Sequence, residues 1–115
     1  MRINIQARSF SLTNALCSHI RRRLNFALSM RDEYIKHITV RLTDINGPRG
    51  GDDMQCQIQV SLSQLPEVII EDTNADMYVA IDRAASRAAR NVERRISRQQ
   101  SQLRSTYILP VAVNE

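Results

Sequence analysis

The stretch DMYVAIDRAASRAARNVERRISR, residues 76–98, combines two separate helical periodicities. On a wheel of about 100° per residue, an apolar stripe lies within about 60° of Ile81. Its members are Ile81, Ala85, Ala88, Val92 and Ile96. Arginines fall on the opposite side, between about 180° and 260° from Ile81. This arginine stripe consists of Arg83, Arg87, Arg90, Arg94 and Arg98. We predict a helix from about 76 to about 100, with one face on a core and arginine on the other.

The residues before this helix contain four segments with the character of strands, three of them clearly alternating. The segments are RINIQAR at 2–8, KHITVRLTDI at 36–45, MQCQIQVSL at 54–62 and EVIIED at 67–72. Between the first two, FSLTNALCSHIRRRLNFAL places Leu16, Ile20 and Leu24 at helical spacing. This pattern predicts a helix over roughly 13–28, with Thr13 as its N-cap.

The element order is therefore β-α-β-β-β-α, and the predicted fold class is α+β. The three consecutive strands are joined by short turns and should pair antiparallel. The first strand connects through a helix, so it can lie parallel to a neighbour. We expect a four-stranded mixed sheet with two helices packed on one face, since each helix has a single apolar stripe. The segment NGPRGGDD, 46–53, contains all three glycines of the chain and is predicted to be a turn.

The chain has 115 residues, of which 43% are hydrophobic, and this suits one domain with an aliphatic core. We predict that all helices and strands belong to a single domain at 1–100, which is followed by a C-terminal tail at 101–115. Three alternatives stay open for the apolar part of the tail, YILPVAV at 107–113: an edge strand, a docked segment or a mobile end. No apolar run approaches the roughly 20 residues that span a bilayer. We therefore expect a cytoplasmic protein without membrane contact.

The basic charge is almost all arginine, and it is unevenly placed. The 16 basic residues include a single lysine, Lys36, and the net charge is +4. Residues 77–104 hold seven arginines against two acids, whereas residues 44–76 hold one arginine against seven acids. An ordinary solvated face would mix signs, because like charges one helical turn apart repel. Guanidinium groups pair with phosphate through two parallel hydrogen bonds, so the stripe favours contact with nucleic acid.

The first helix adds the consecutive arginines Arg21, Arg22 and Arg23, which must point in three directions. Arg23 falls near the edge of the apolar stripe. We expect it to reach toward the second helix, which should lie alongside and widen the basic surface. Phe26 and Tyr78 are expected to pack in the core or at its edge rather than to stack on bases.

No pattern in the sequence predicts catalysis. His19 and Cys17 point about 200° apart on a helix and cannot form a dyad. The two cysteines lack metal-ligand spacing and are predicted to be free and at least half-buried. Glu71 and Asp72 are expected to be solvated, and Asp76 to favour the start of the second helix. We predict no enzyme, metal, cofactor or small-molecule substrate.

The element order and three stretches resemble a known family. The stretches are MRINIQA at the start, TNAL at the beginning of helix 1, and DMYVAIDRAASRAARNVERRI at 76–96. The most specific part is D-M-Y-x-A-I-D, which runs from Asp76 to Asp82. Over about residues 1–100 the chain resembles the ribosome hibernation promoting factor and protein Y family, formerly called sigma-54 modulation proteins.

The resemblance implies a bacterial ribosome-associated factor of the stress response. Family members bind the small (30S) ribosomal subunit between head and body, where messenger RNA and transfer RNAs sit, and so block initiation and preserve inactive ribosomes. In the family, basic residues on both helices contact 16S ribosomal RNA. The matching positions in this sequence are Arg23, Arg90, Arg94, Arg95 and Arg98. The further RNA-binding candidates rest on the residues alone and are Arg21, Arg22, Arg83 and Arg87. We expect a monomer away from the ribosome.

Two departures from the family pattern and one rival hypothesis accompany this resemblance. The helices are rich in arginine where the family often has lysine, and we expect a short form without the second domain by which long members pair ribosomes. Short members either promote or block ribosome dimers, and both outcomes stay open here. The rival hypothesis is a protein-interaction module that regulates transcription by modulating a sigma factor. It predicts binding that does not respond to salt.

Overall fold

The computed structural model describes the backbone of residues 1–45 and 54–113 and the side chains of residues 1–45 and 54–103. The elements are β1 Arg2–Arg8, α1 Asn14–Leu28, a 3₁₀ segment Ser29–Tyr34, β2 Ile35–Asp44, β3 Met54–Leu62, β4 Val68–Asn74 and α2 Met77–Val113. The predicted order β-α-β-β-β-α and the α+β class are confirmed. The turn predicted at 46–53 lies outside the described residues.

The strands form one mixed sheet in the order β1-β2-β3-β4. β1 pairs parallel with β2, with Ile5 opposite Val40. This pairing is possible because α1 carries the chain back to the end of the sheet from which β1 began. The other two pairs are antiparallel, with Val40 opposite Ile58 and Ile58 opposite Ile70. The predicted sheet is therefore confirmed.

Alternation places the apolar side chains of the strands on one face of the sheet. In β3 the buried residues are Cys56, Ile58, Val60 and Leu62, and the residues between them are partly exposed. The buried side chains of α1 and α2 join those of the strands in one core cluster. Both helices therefore cover the same face of the sheet, as their single apolar stripes predict.

The helix α1 begins at its predicted cap. Thr13 has an extended backbone, and its Oγ1 accepts a hydrogen bond from the backbone N–H of Leu16 at 3.1 Å. Such a cap satisfies one of the otherwise unpaired amides of the first turn and is worth about 1 kcal/mol. The buried residues Leu16, Ile20, Leu24 and Leu28 follow at one per turn, so α1 lies on the core along its whole length.

The helix α2 lies close to the sheet because small side chains line its inner face. The alanines without exposed surface are Ala80, Ala84, Ala85 and Ala88. An alanine has no atom beyond Cβ to hold two backbones apart, so the helix packs mainly against β3 and β4 at short range. This contact fixes the rotation of α2 about its axis, and the outer face is fixed with it.

The helix α2 is longer than predicted, since it ends at Val113 instead of near residue 100. The last glycine of the chain is Gly51, so no glycine follows the core-packed part of the helix to end it in a left-handed cap. The edge-strand alternative for 107–113 is wrong, because this backbone is helical. In the part of the chain that the structure describes, no helix has the length and apolar character needed to cross a membrane.

The close helix–sheet contact can be tested at Ala88. We expect Ala88→Leu to lower the free energy of unfolding by roughly 1–3 kcal/mol, because a fully packed site has no room for three more carbon atoms. Urea denaturation measures the effect. Ala15→Leu, at an exposed position of α1, is the matched control and should change stability by less than about 0.5 kcal/mol. Equal urea midpoints for the two variants would show that tight packing does not orient α2.

The two cysteines are free thiols in different environments, as predicted. Cys17 on α1 is partly exposed, whereas Cys56 on β3 is buried. Burial, and to a smaller extent the charge of Asp72, raises the pKa of the Cys56 thiol to about 12. A thiol that is both inaccessible and protonated is a poor nucleophile.

Thiol labelling at pH 8 should therefore distinguish the two side chains. We expect Cys17→Ser protein to stay unlabelled by a soluble disulfide reagent while folded and to react fully in denaturant, because the pKa of Cys56 is raised and its sulfur is enclosed. Cys56→Ser protein serves as the control and should react without denaturant. Rapid labelling of folded Cys17→Ser protein would contradict the burial of Cys56.

Candidate nucleic-acid interface

The arginine stripe lies on the outer face of α2, opposite the buried alanines. All five of its members, Arg83, Arg87, Arg90, Arg94 and Arg98, are exposed. The predicted separation of the core face from the basic face is confirmed. Along the helix the stripe spans about 22 Å, at 1.5 Å per residue. Its arginines differ in their partners, because acidic groups from other elements reach some of them and not others.

Asp72 neutralises the N-terminal end of the stripe. Its side chain is only 5% exposed, and its Oδ2 lies 3.5 Å from Arg83 Nε and 3.4 Å from Arg87 Nη1. Arg87 Nη1 also donates to the backbone carbonyl of Glu71 at 2.7 Å. The prediction that Asp72 is solvated was wrong: the alternation of β4, with Val68 and Ile70 buried, carries Asp72 onto the core face. The two arginines pair with this buried carboxylate at the border of α2 and β4.

A second acid, Asp82, joins α2 to α1. Its Oδ1 lies 2.7 Å from His19 Nε2 and 3.1 Å from Arg23 Nε. The Arg23 contact through Nε is electrostatic and not a hydrogen bond, while Arg23 Nη2 donates to the hydroxyl of Ser86 at 3.2 Å. The ring of His19 meets the ring of Tyr78 edge to face, with centroids 4.9 Å apart. Arg23 reaches the second helix as predicted, and these contacts hold the two helices side by side.

A third acid, Glu93, is paired away from the stripe. Arg31, in the 3₁₀ segment, donates to both carboxylate oxygens of Glu93, with Nε 2.8 Å from Oε2 and Nη2 in contact with Oε1. The hydrogen bonds from Arg31 lower the pKa of Glu93, and the same bonds raise the pKa of Arg31. The sequence alone suggests that Glu93 relieves the arginines beside it on α2. In the structure Glu93 forms its ion pair with Arg31 instead.

The three arginines at the C-terminal end of the stripe are not paired with acidic groups among the described residues. Among the described residues, none forms an ion pair or hydrogen bond with the side chains of Arg90, Arg94 or Arg98, which we call the free arginine row. The row lines a shallow depression together with Glu93 and Ser97. A second depression adjoins it at Arg90 and is lined by residues of the α1–α2 contact: Arg23, Asp82, Arg83, Ser86 and Arg87. The unneutralised cations therefore stand beside the line along which the two helices meet.

The other predicted RNA-binding arginines are placed apart from this row. Arg21 and Arg22 are exposed on α1 and point in different directions. Arg95 lies on another flank of α2, where it lines a depression with the β3–β4 turn at Leu65 and Pro66. Its Nε is buried and has no partner among the described residues. The structure thus joins Arg23 and the stripe into one surface but separates Arg95 from it.

Phe26 is a surface residue that the sequence analysis placed wrongly. Its side chain is 81% exposed, and Met30, one turn later, is 90% exposed. The expectation of core or edge packing fails for Phe26 because α1 turns its other face to the sheet. The helical wheel could have predicted this exposure, because Phe26 lies about 160° from the buried Leu24 and Leu28. Tyr78 fits the expectation better, since it is 40% exposed and packs against His19.

The arrangement suits anion binding more than catalysis. Within the described residues, no group of three or more His, Cys, Asp or Glu side chains is placed to hold a metal ion. Asp76 has the role predicted for it at the start of α2, where its Oδ1 accepts a hydrogen bond from the backbone N–H of Tyr78 at 2.9 Å. His19, the imidazole nearest to the stripe, has its Nε2 committed to Asp82.

Residues 3–100 match the family model described as sigma 54 modulation protein / S30EA ribosomal protein. The chain belongs to this family. The match runs from β1 through the core-packed part of α2, so it includes the sheet and the parts of the two helices that carry the arginines. The resemblance drawn from residues 1–100 is confirmed. A comparison with curated proteins gives no significant match.

Two solved structures resemble this member of the S30EA family over most of its length. The crystal structure of the Thermus thermophilus protein Y N-terminal domain superposes with a TM-score of 0.68 at 28% identity, covering 82% of this chain and 98% of that one. A ribosomal subunit interface protein from Coxiella burnetii superposes with a TM-score of 0.69 at 17% identity, covering 82% and 96%. At the lower identity the likeness concerns the fold alone.

The role of Asp72 in organising the basic face predicts a cost for removing its charge. We expect Asp72→Asn to destabilise the protein by about 1–2 kcal/mol, because two arginines lose their shared carboxylate while the buried polar group remains. Urea denaturation of the variant measures this. Glu71→Gln, the exposed neighbour on the same strand, is the matched control and should leave the midpoint nearly unchanged. Equal stability of both variants would mean that Asp72 contributes no more than a surface acid.

Proposed function

We propose that this protein is a hibernation-type translation inhibitor that binds the small ribosomal subunit in the channel for messenger RNA and transfer RNA. The observation that carries the proposal is the free arginine row, a set of cations one turn apart that have no acidic partner among the residues that the structure describes. Membership in a family described as ribosomal protein S30EA supports the ribosome as the target. The named relatives, protein Y and a subunit interface protein, agree with it.

The mechanism rests on charge and shape. Arg90, Arg94 and Arg98 replace the counterions of 16S ribosomal RNA, and the released ions drive association. A-form RNA presents phosphates and 2′-hydroxyls over a wide, shallow surface, which suits a rigid pair of helices better than a single flexible arm. Arg23 has a structural part in this interface, since Asp82 and Ser86 hold it between the helices.

The remaining arginines add to the interface in different ways. Arg83 and Arg87 are shared with Asp72 and so give less net attraction to phosphate than the free row. Arg21 and Arg22 extend the basic surface over α1. Arg95 lies on another flank, where it meets a different part of the RNA or serves packing near the β3–β4 turn.

We infer that the protein acts by occupancy and not by chemistry. Arginine stays protonated at physiological pH and is a poor general base. The imidazole of His19 is engaged by Asp82. An inhibitor of this kind acts in the cytoplasm, where the ribosomes are, and is a monomer away from them. The family description also names sigma 54 modulation, so a protein target is the alternative outcome of the following test.

Sedimentation with purified bacterial ribosomal subunits tests the proposal. We expect the wild-type protein to pellet with the small subunit, and its affinity to fall roughly 20- to 40-fold between 50 and 200 mM salt if three arginines displace counterions. Arg90→Glu/Arg94→Glu should abolish binding at moderate salt. At low salt its residual binding should show a salt slope shallower by about 2.

The matched control places the same charge change elsewhere. Arg2→Glu/Arg8→Glu alters two exposed arginines of β1, on the sheet face that the helices leave open, and should bind nearly as the wild type does. An equal loss of ribosome binding in both double variants would show that binding depends on net charge and not on the position of the arginines. Salt-independent binding, or no binding of the wild type at low salt, would overturn the ribosome proposal in favour of a protein partner.

A further inference from the structure

Phe26 stands exposed beside the proposed RNA surface, and the fold gives it no packing role. With 81% of its surface accessible, it is the most exposed of the described aromatic side chains. Single exposed apolar residues are common on proteins and need no explanation by themselves. The position of Phe26 among the arginines is what gives it meaning.

The geometry of α1 fixes this position. On the helical wheel Phe26 lies about 20° from His19, about 40° from Arg22 and about 60° from Arg23. His19 and Arg23 both contact α2, at Asp82. Phe26 is therefore on the flank of α1 that borders α2, pointing outward between two guanidinium groups.

The contacts between the helices show which part of α2 lies beside it. Arg23 contacts Ser86 and Arg31 contacts Glu93, so residue numbers increase in the same direction on both sides of the contact. The two helices α1 and α2 therefore run parallel in this region. Phe26 is between Arg23 and Arg31, and it is therefore level with the α2 segment between Ser86 and Glu93. That segment contains Arg90, the first member of the free arginine row. The exposed ring is thus level with Arg90, which also lines the depression at the α1–α2 contact.

We propose that Phe26 stacks on an unpaired nucleobase of the RNA whose phosphates contact the free arginine row. This inference rests on the proposed function and specifies its ligand: RNA in which a loop or bulge places an unstacked base beside a phosphate backbone. Aromatic rings bind such bases face to face, largely independently of base identity. The guanidinium of Arg22, about 40° away on the wheel, is placed to meet the adjoining phosphate.

The surroundings of Phe26 favour RNA over an apolar protein partner. The core of a protein–protein interface is depleted of charged residues. The two depressions next to this flank are instead lined mainly by arginines. Met30 is the one strongly exposed apolar neighbour on the flank among the described residues. A lone ring within a cationic border matches the stacking platforms of single-stranded nucleic-acid sites.

Substitutions that separate aromatic from merely apolar character test the proposal. We expect Phe26→Leu and Phe26→Ala to weaken binding to purified small subunits about tenfold, since both lose the ring. Phe26→Tyr keeps the ring and should bind within about twofold of the wild type. The side chain is exposed, so all three variants should match the wild type in circular dichroism and urea midpoint. Wild-type affinity for Phe26→Leu would overturn stacking and indicate an apolar contact with a ribosomal protein.

A fluorescent reporter gives a direct readout. The chain has no tryptophan, so Phe26→Trp introduces a single indole at the proposed contact. We expect single-stranded oligouridine or oligoadenosine to quench its emission, and inorganic polyphosphate at the same phosphate concentration to leave it unchanged, because only RNA has bases. Equal responses to both polymers would overturn the proposal. Wild-type sedimentation in parallel keeps the two questions separate: its failure rejects ribosome binding, whereas normal sedimentation with unaltered Phe26→Leu affinity rejects stacking alone.

Discussion

The contact between the alanine face of α2 and strands β3 and β4 determines most of what the molecule presents to solvent. Because Ala84, Ala85 and Ala88 are fully buried, the helix lies close to the sheet and cannot rotate without forcing larger side chains into the core. Fixing that rotation directs the arginine stripe outward. It also places Arg87 over the end of β4 at Asp72, and it turns Asp82 toward α1.

The acidic groups near the helices pair with some of the basic side chains and leave Arg90, Arg94 and Arg98 unpaired among the described residues. Asp72, Asp82 and Glu93 each pair with an arginine or histidine that joins two elements. None of these carboxylates reaches Arg94 or Arg98. Like charges one turn apart repel by only a few tenths of a kcal/mol in water. A stable fold can therefore carry such a row, and an RNA phosphate backbone is a polyanion long enough to neutralise it.

The parallel arrangement of α1 and α2 extends the basic face over both helices. Arg23 on α1 pairs with Asp82, and Arg31 in the 3₁₀ segment after α1 pairs with Glu93, so ion pairs hold α2 at two levels. Phe26 lies between Arg23 and Arg31 in the chain and is exposed. In the proposed complex the ring and the guanidinium groups contact different parts of the RNA, the ring a base and the arginines the phosphates.

The sequence by itself determined the order of elements, the face that each buries, the Thr13 cap and the outward arginine stripe. All of these follow from spacing within a few residues. It also identified the family, from the motif at 76–82. Tertiary structure alone decided which arginines have acidic partners, since the partners of Arg31 and Arg87 lie 62 and 15 residues away in the chain. The exposure of Phe26, by contrast, follows from local spacing, because Phe26 lies about 160° from the buried Leu24 and Leu28 on the wheel. Local periodicity orients a side chain on its own helix, but only packing brings distant charges within reach of one another.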